Sequence, residues 1–106
     1  MSRYLIATID VKLSGMGRFV ETMGAMKAIL TAAGWSLAGS YTLRTGLAGQ
    51  VINVWRLADL EQLDIGFAAL ARAPGWPEIQ AALAELVIRE SVAFADALSY
   101  PPPPGG

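Results

Sequence analysis

A two-layer α+β domain with element order βαββαβ is the fold that this 106-residue sequence predicts. Three observations point to it. Period-two apolar patterns recur in four stretches, and each half of the chain inserts one helical pattern between two of them. A glycine-rich five-residue link joins the two central stretches as a hairpin. The length suits one domain, long enough to bury a real core without disulfides or a structural metal.

The first strand is predicted over Tyr4 to Leu13. Leu5, Ala7, Ile9, Val11 and Leu13 alternate with Tyr4, Ile6, Thr8, Asp10 and Lys12, so the first set should face helices. Ser14 to Gly17 breaks the strand. A helix should follow, because Met16, Phe19, Val20, Met23, Met26, Leu30 and Ala33 recur at helical spacing, and Gly34 suits its C-terminal cap. The methionines read as core packing.

Trp35 to Arg44 returns to period two, with Trp35, Leu37, Gly39, Tyr41 and Leu43 on one face. Thr45-Gly46-Leu47-Ala48-Gly49 is the hairpin link. Its partner strand runs from Gln50 to Leu57, where Val51, Asn53, Trp55 and Leu57 alternate with Ile52 and Val54. Asp59 with Gln62 forms a capping box for a second helix striped by Leu60, Leu63, Phe67 and Leu70. Pro74-Gly75-Trp76-Pro77 interrupts it, and a shorter helix follows with Ile79, Leu83 and Leu86 on one side. Val87 to Leu98 is the last strand, and residues 99–106 form a Pro/Gly-rich solvated tail.

This order gives a ferredoxin-like βαββαβ fold with a four-stranded antiparallel sheet. Its helices cover one face and leave the other bare. Tyr4 and Ile6 make that bare face half apolar, so something must cover it. Composition agrees. Hydrophobic residues make up 54% and charged residues only 16%, against about 25% charged in an average soluble domain. A second copy of the chain is the expected cover.

Composition also removes chemistry. The chain has no cysteine and no histidine, which excludes thiolate nucleophiles, disulfides, imidazole bases and most zinc sites. The net charge is −1, so no basic field exists for nucleic acid or anionic lipid. No membrane-spanning run or secretory signal is seen, so a cytoplasmic location is expected. No phosphate loop, nucleotide fingerprint or metal-spaced carboxylate cluster is present, so neither cofactor nor metal is expected.

Asp10, Tyr41 and Glu90 are the candidate catalytic residues. A carboxylate desolvated on a strand gains a raised pKa and takes a proton from carbon or a phenol. A tyrosine hydroxyl donates to a ligand carbonyl or enolate. Thr8, Trp35, Asn53, Trp55 and Arg44 are the candidate ligand-binding residues: two flat apolar walls, an amide, a hydroxyl and a cation. An enzyme built this way would hold Asp10 or Glu90 with Tyr41 or Asn53 within reach of one ligand atom. The plain structural alternatives are an Asp10 ion pair, a rim tyrosine, core tryptophans and a Glu90 salt bridge to Arg89 or Arg3.

The stretches Gly39-Ser40-Tyr41-Thr42-Leu43-Arg44-Thr45-Gly46 and Gly49-Gln50-Val51-Ile52-Asn53-Val54-Trp55 resemble a NIPSNAP domain. Leu60-Glu61, Ala71-Arg72-Ala73-Pro74-Gly75-Trp76 and Glu90-Ser91 extend the resemblance over nearly the whole chain. It implies the dimeric α/β-barrel fold, in which two ferredoxin-like sheets meet bare face to bare face, with one cavity per protomer. Family members often carry histidine at the position of Asn53 and arginines along the start of the second helix, where this chain has Leu63, Ile65 and Phe67. The cavity of this chain is therefore expected to be more apolar than usual. The permitted chemistry, of a kind known among dimeric α/β-barrel enzymes, points to a small cofactor-independent tailoring enzyme: a cyclase, isomerase or monooxygenase acting on a reactive apolar or aromatic molecule in secondary metabolism. The alternative is a non-catalytic homodimer that binds a small ligand or a protein. A pure scaffold would lack a cavity and expose the second-helix face of Leu63, Ile65 and Phe67.

Overall fold

The computed structural model describes residues 3–46 and 48–105. Leu47 of the hairpin link and the terminal Met1, Ser2 and Gly106 lie outside the described residues. The elements run β1 (Arg3–Val11), a 3-10 turn (Leu13–Gly15), α1 (Met16–Ala32), β2 (Ser36–Thr42), β3 (Gln50–Leu57), α2 (Leu60–Arg72), α3 (Trp76–Leu86) and β4 (Val87–Asp96). The sheet order is β2-β3-β1-β4, antiparallel throughout. This is the ferredoxin-like arrangement.

β1 sorts its side chains as its alternation predicts. Leu5, Ala7, Ile9 and Val11 are buried against the helices. They join Phe19, Val51, Ala82 and Leu86 in one core cluster and Leu30, Trp35, Trp55, Leu57 and Leu70 in another, with Met23 packed against both. The strand ends two residues early. The Lys12 amide donates to the Leu86 carbonyl (3.0 Å), the chain turns into the 3-10 segment, and Leu13 is left 65% exposed. Leu13 is therefore not a core residue. Val20 and Leu60 also lie outside the core, at 62% and 50% exposure.

α1 ends in a Schellman motif. Gly34 has φ 103°, its amide donates to Thr31, and the Trp35 amide reaches back to Leu30. Trp35 and Leu30 share a core cluster, which supplies the apolar contact that accompanies this cap. Gly46 and Gly49 both have positive φ, as the hairpin link requires. α2 starts at its capping box. Asp59 accepts from the Gln62 amide (3.0 Å), while the Gln62 side chain accepts from Ala58 (2.9 Å), one residue earlier than the standard box. Asp59→Ala is expected to cost about 1 kcal/mol, read as a lower midpoint in urea at unchanged slope. Pro74 holds Ala73 extended at ψ 134°, ends α2, and lets α3 restart with Pro77 in its first turn.

β2 departs from its predicted alternation. Its register with β3 shifts between Leu37 and Gly39. Leu37 stands opposite Trp55 on the helix side, but beyond the shift Ser40 stands opposite Asn53 and Tyr41 opposite Ile52. One extra residue inverts the facing of everything after it. Gly39 and Tyr41 therefore lie on the bare face, with the tyrosine ring across the glycine, where a Cβ would meet its hydroxyl and ring atoms. The expectation that Tyr41 shares a face with Trp35 is corrected by this bulge.

The bare face carries Tyr4, Ile6, Thr8 and Asp10 of β1 and Gln50, Ile52, Val54 and Arg56 of β3. None of them belongs to either core cluster. Among the described residues, no helix is long and apolar enough to cross a membrane.

Candidate functional site

The residue register places the chemistry on two sides of the sheet. On the helix side, three rows run across the strands: Leu37, Trp55, Leu5 and Phe94; then Ser40, Asn53, Ala7 and Val92; then Thr42, Val51, Ile9 and Glu90. Above these rows lies a cavity of about 640 Å³, roofed by residues of α1, α2 and α3. Trp35, Trp55, Phe67 and Trp76 form its aromatic part, and Asn53, Gln80 and Glu90 are its polar lining. A second cavity, of about 370 Å³, lies on the other flank of α1, between that helix and β2. Asn53 and Trp55 border both.

The walls are held from behind. The Trp35 indole donates to the Gln62 carbonyl at 2.7 Å. Its ring stands edge-on to Trp55 (5.6 Å, 70°) and to Phe67 (5.5 Å, 71°). Such edge-to-face pairs fix ring orientation and add to the burial of apolar area. Gly66 makes room for this ring on α2, because a Cβ there would overlap the indole. A glycine inside a helix costs about 1 kcal/mol against alanine, and close packing is its usual reason.

Asn53 is only 2% exposed. Its carbonyl oxygen accepts from the Ser40 hydroxyl. Its amide nitrogen makes no hydrogen bond among the described residues, and it is not sealed in the core. A buried side chain thus presents a free N–H donor to the cavity, suited to a ligand carbonyl or oxyanion. Glu90 sits at the cavity rim on β4 and is exposed to solvent. Desolvation by the surrounding wall pushes its carboxyl above the usual glutamate range. Strand spacing and rise put the Asn53 and Glu90 backbones about 12 Å apart. They address opposite ends of a ligand, not one ligand atom as the sequence suggests.

Asp10 lies on the other face. Its oxygens accept from Gln50 Nε2 (2.9 Å) and Arg89 Nε (3.2 Å), the residues directly opposite it on β3 and β4. It bridges three strands as an ion-paired carboxylate. Thr8 and Tyr41 share that face, and Arg44 sits in the exposed turn after β2. The structure therefore brings Trp35, Asn53, Trp55 and Glu90 together around the larger cavity and separates Asp10, Thr8 and Arg44 from them, while Tyr41 borders only the second cavity, beside Asn53 and Trp55. Arg89, one expected Glu90 partner, pairs instead with Asp10, and Arg3 pairs with Asp96. Ile65 and Phe67 are about half exposed, at 46% and 49%, yet the scaffold expectation fails at its other half, because the cavity exists. Trp76 and Gln80 line the cavity without standing among the expected site residues, and Phe67, expected to make the cavity more apolar, is part of its wall. Trp76 carried a signal: an aromatic at a helix start just after a Pro-Gly break faces back under the preceding helix.

A four-stranded ferredoxin-like sheet with a one-sided helical layer over a half-open apolar cavity defines the class of fold. The NIPSNAP family model matches residues 4–102, and the chain belongs to the NIPSNAP family. Solved structures agree. A NIPSNAP family protein from Agrobacterium tumefaciens superposes with TM-score 0.80 at 18% identity, over 97% of this chain and 99% of that one. A NIPSNAP domain protein from Burkholderia xenovorans gives 0.78 at 17%, over 94% and 98%. SnoaB, a cofactor-independent oxygenase from Streptomyces nogalater, gives 0.68 at 14%, over 95% and 97%. At these identities the likeness is one of fold. No curated protein matches the sequence.

Proposed function

We propose that the protein is a cytoplasmic homodimer that transforms a reactive apolar or aromatic small molecule without a cofactor, by oxygenation, cyclisation or isomerisation. The observation that carries this is a cavity with an apolar wall, one desolvated carboxylate and one free amide donor. Such a site cannot supply a strong nucleophile. It can orient a substrate that is already reactive, exclude water and move one proton. Asn53 donates to the substrate oxygen on which negative charge gathers, and Glu90 accepts the acidic proton. The fold likeness to a cofactor-independent oxygenase supports the oxygenation branch.

The test is turnover of reactive phenols and enolisable ketones, followed by mass spectrometry and oxygen uptake. Glu90→Gln is expected to lower kcat by about a hundredfold or more, the usual worth of a positioned base. The wild-type rate should fall as pH drops through the pKa of Glu90, and this acid limb lies above the ordinary glutamate range because burial raises that pKa. Linkage separates this from a folding defect. A carboxyl whose folded pKa is raised contributes stability below its unfolded value and loses it as pH rises through the folded one. Glu90→Gln should therefore keep or raise stability at pH 8 while turnover is lost. Wild-type turnover in Glu90→Gln overturns the assignment.

A second reading, ligand binding without turnover, draws on the rim position of Glu90 and its distance from Asn53. It predicts saturable binding with no product.

A further inference from the structure

Charge is arranged one-sidedly around the larger cavity. Glu90 is the one charged residue among its described lining, and no lysine or arginine joins it. The basic side chains are engaged or placed elsewhere. Arg18 pairs with Glu85, Arg89 with Asp10 on the bare face, and Arg3 with Asp96. Lys27 borders the second cavity, beyond α1. The lining is also polarised along the sheet. Trp55 lies in the row of Leu5, while Glu90 lies in the row of Ile9, with Asn53 in the row between. Trp35 and Trp76 pack in the cluster around Leu5 and Trp55, so the three tryptophans lie at the end away from Glu90, while Phe19 packs with Ile9 and Val51 at the other end. Between the two ends, the buried Asn53 amide has an unbonded N–H donor, while its oxygen already accepts from Ser40.

We propose that the cavity selects against negative charge: its ligand is an aromatic compound with a neutral hydrogen-bond acceptor and no carboxylate, sulfate or phosphate. The aryl body lies among the tryptophans, a carbonyl or ether oxygen takes the Asn53 N–H, and the polar end faces Glu90. An anion among the tryptophans loses hydration and meets no cation in the lining, and the rim carboxylate of Glu90 carries the same charge. A neutral acceptor is instead satisfied by the Asn53 N–H. The inference deepens the proposed function and rests on the same cavity, but it concerns binding and stands without turnover.

The experiment compares two probes of matched shape, 2-acetylnaphthalene and 2-naphthoate, against the full chain by calorimetry at pH 8. The indole N–H resonances report the location, because all three tryptophans of the chain line this cavity. The ketone is expected to bind and shift those resonances, and naphthoate to bind at least roughly tenfold more weakly. Glu90→Gln should narrow the ratio by raising naphthoate affinity. Naphthoate binding that vanishes in Lys27→Ala and does not compete with the ketone belongs to the second cavity and supports the assignment. Equal affinities that survive Lys27→Ala, a ratio unchanged in Glu90→Gln, or no binding of the ketone overturns it. Intact charge order with no turnover of any compound removes the enzymatic reading alone. Turnover of an anionic substrate removes this inference alone.

Discussion

Gly66→Ala is expected to destabilise the protein by about 2 kcal/mol, although alanine is the better helix former. The two effects oppose. Propensity favours alanine by about 1 kcal/mol in a helix interior. Overpacking a filled core costs about 1–3 kcal/mol and sometimes more. Here overpacking wins, because the added methyl would overlap three atoms of the Trp35 indole. That ring has no easy retreat: it is 3% exposed, bonded to the Gln62 carbonyl, and edge-packed on Trp55 and Phe67. Relief requires α2 to lift or the indole to leave its hydrogen bond. The expected drop in Tm is on the order of 10 °C for a domain of this size. Trp35→Phe in the same background should recover part of the loss, a coupling that two independent lesions would not show. A Gly66→Ala protein as stable as the wild type would mean that the indole does not occupy the space under α2.

The same contact shows what was legible in the sequence. The purely apolar alternation Leu5 to Val11 set the facing of β1, and Val51, Trp55 and Leu57 set that of β3 with Asn53 as the one polar member, because a strand buried on one side leaves no other option. Gly34 and the Asp59–Gln62 pair marked their caps through local chemistry, and local chemistry is readable. What could not be read depended on partners distant in the chain. Trp35 and Tyr41 look like one stripe until the bulge at Gly39 inverts the facing between them. The sequence holds a hint there, since a glycine inside a strand pattern often marks a bulge. Asp10 and Glu90 are both strand carboxylates. Their roles diverge only through register: Asp10 falls opposite Arg89 and Gln50, while Glu90 falls opposite Ile9 on the cavity side. Gly66 likewise reads as a weak helix position until the indole beneath it is known.

The proposed dimer yields the second large effect. The bare face has Ile6 and Ile52 on its two central strands, with Ile6 opposite Val54 and Ala93, and Ile52 opposite Thr8 and Tyr41. If a second copy covers this face, the interface is isologous, and each substitution enters it twice. Ile6→Lys then places two ammonium groups in an apolar seam, each without a carboxylate partner, at a cost of several kcal/mol. The dimer dissociation constant should rise by a factor on the order of a thousand, at 1.4 kcal/mol per tenfold. Sedimentation equilibrium should show a wild-type dimer and an Ile6→Lys monomer at the same concentration. The substitution does not touch the helix-side core, because Ile6 belongs to neither buried cluster. The variant should therefore keep its secondary structure and its tryptophan contacts. It should also still bind the neutral aromatic probe, because the cavity is lined by residues of one chain on the opposite side of the sheet. A wild type that sediments as a monomer removes the dimer and leaves the cavity assignments standing. An Ile6→Lys protein that stays dimeric places the interface on another surface, and the exposed side chains of Val92 and Phe94 on β4 become the next to substitute.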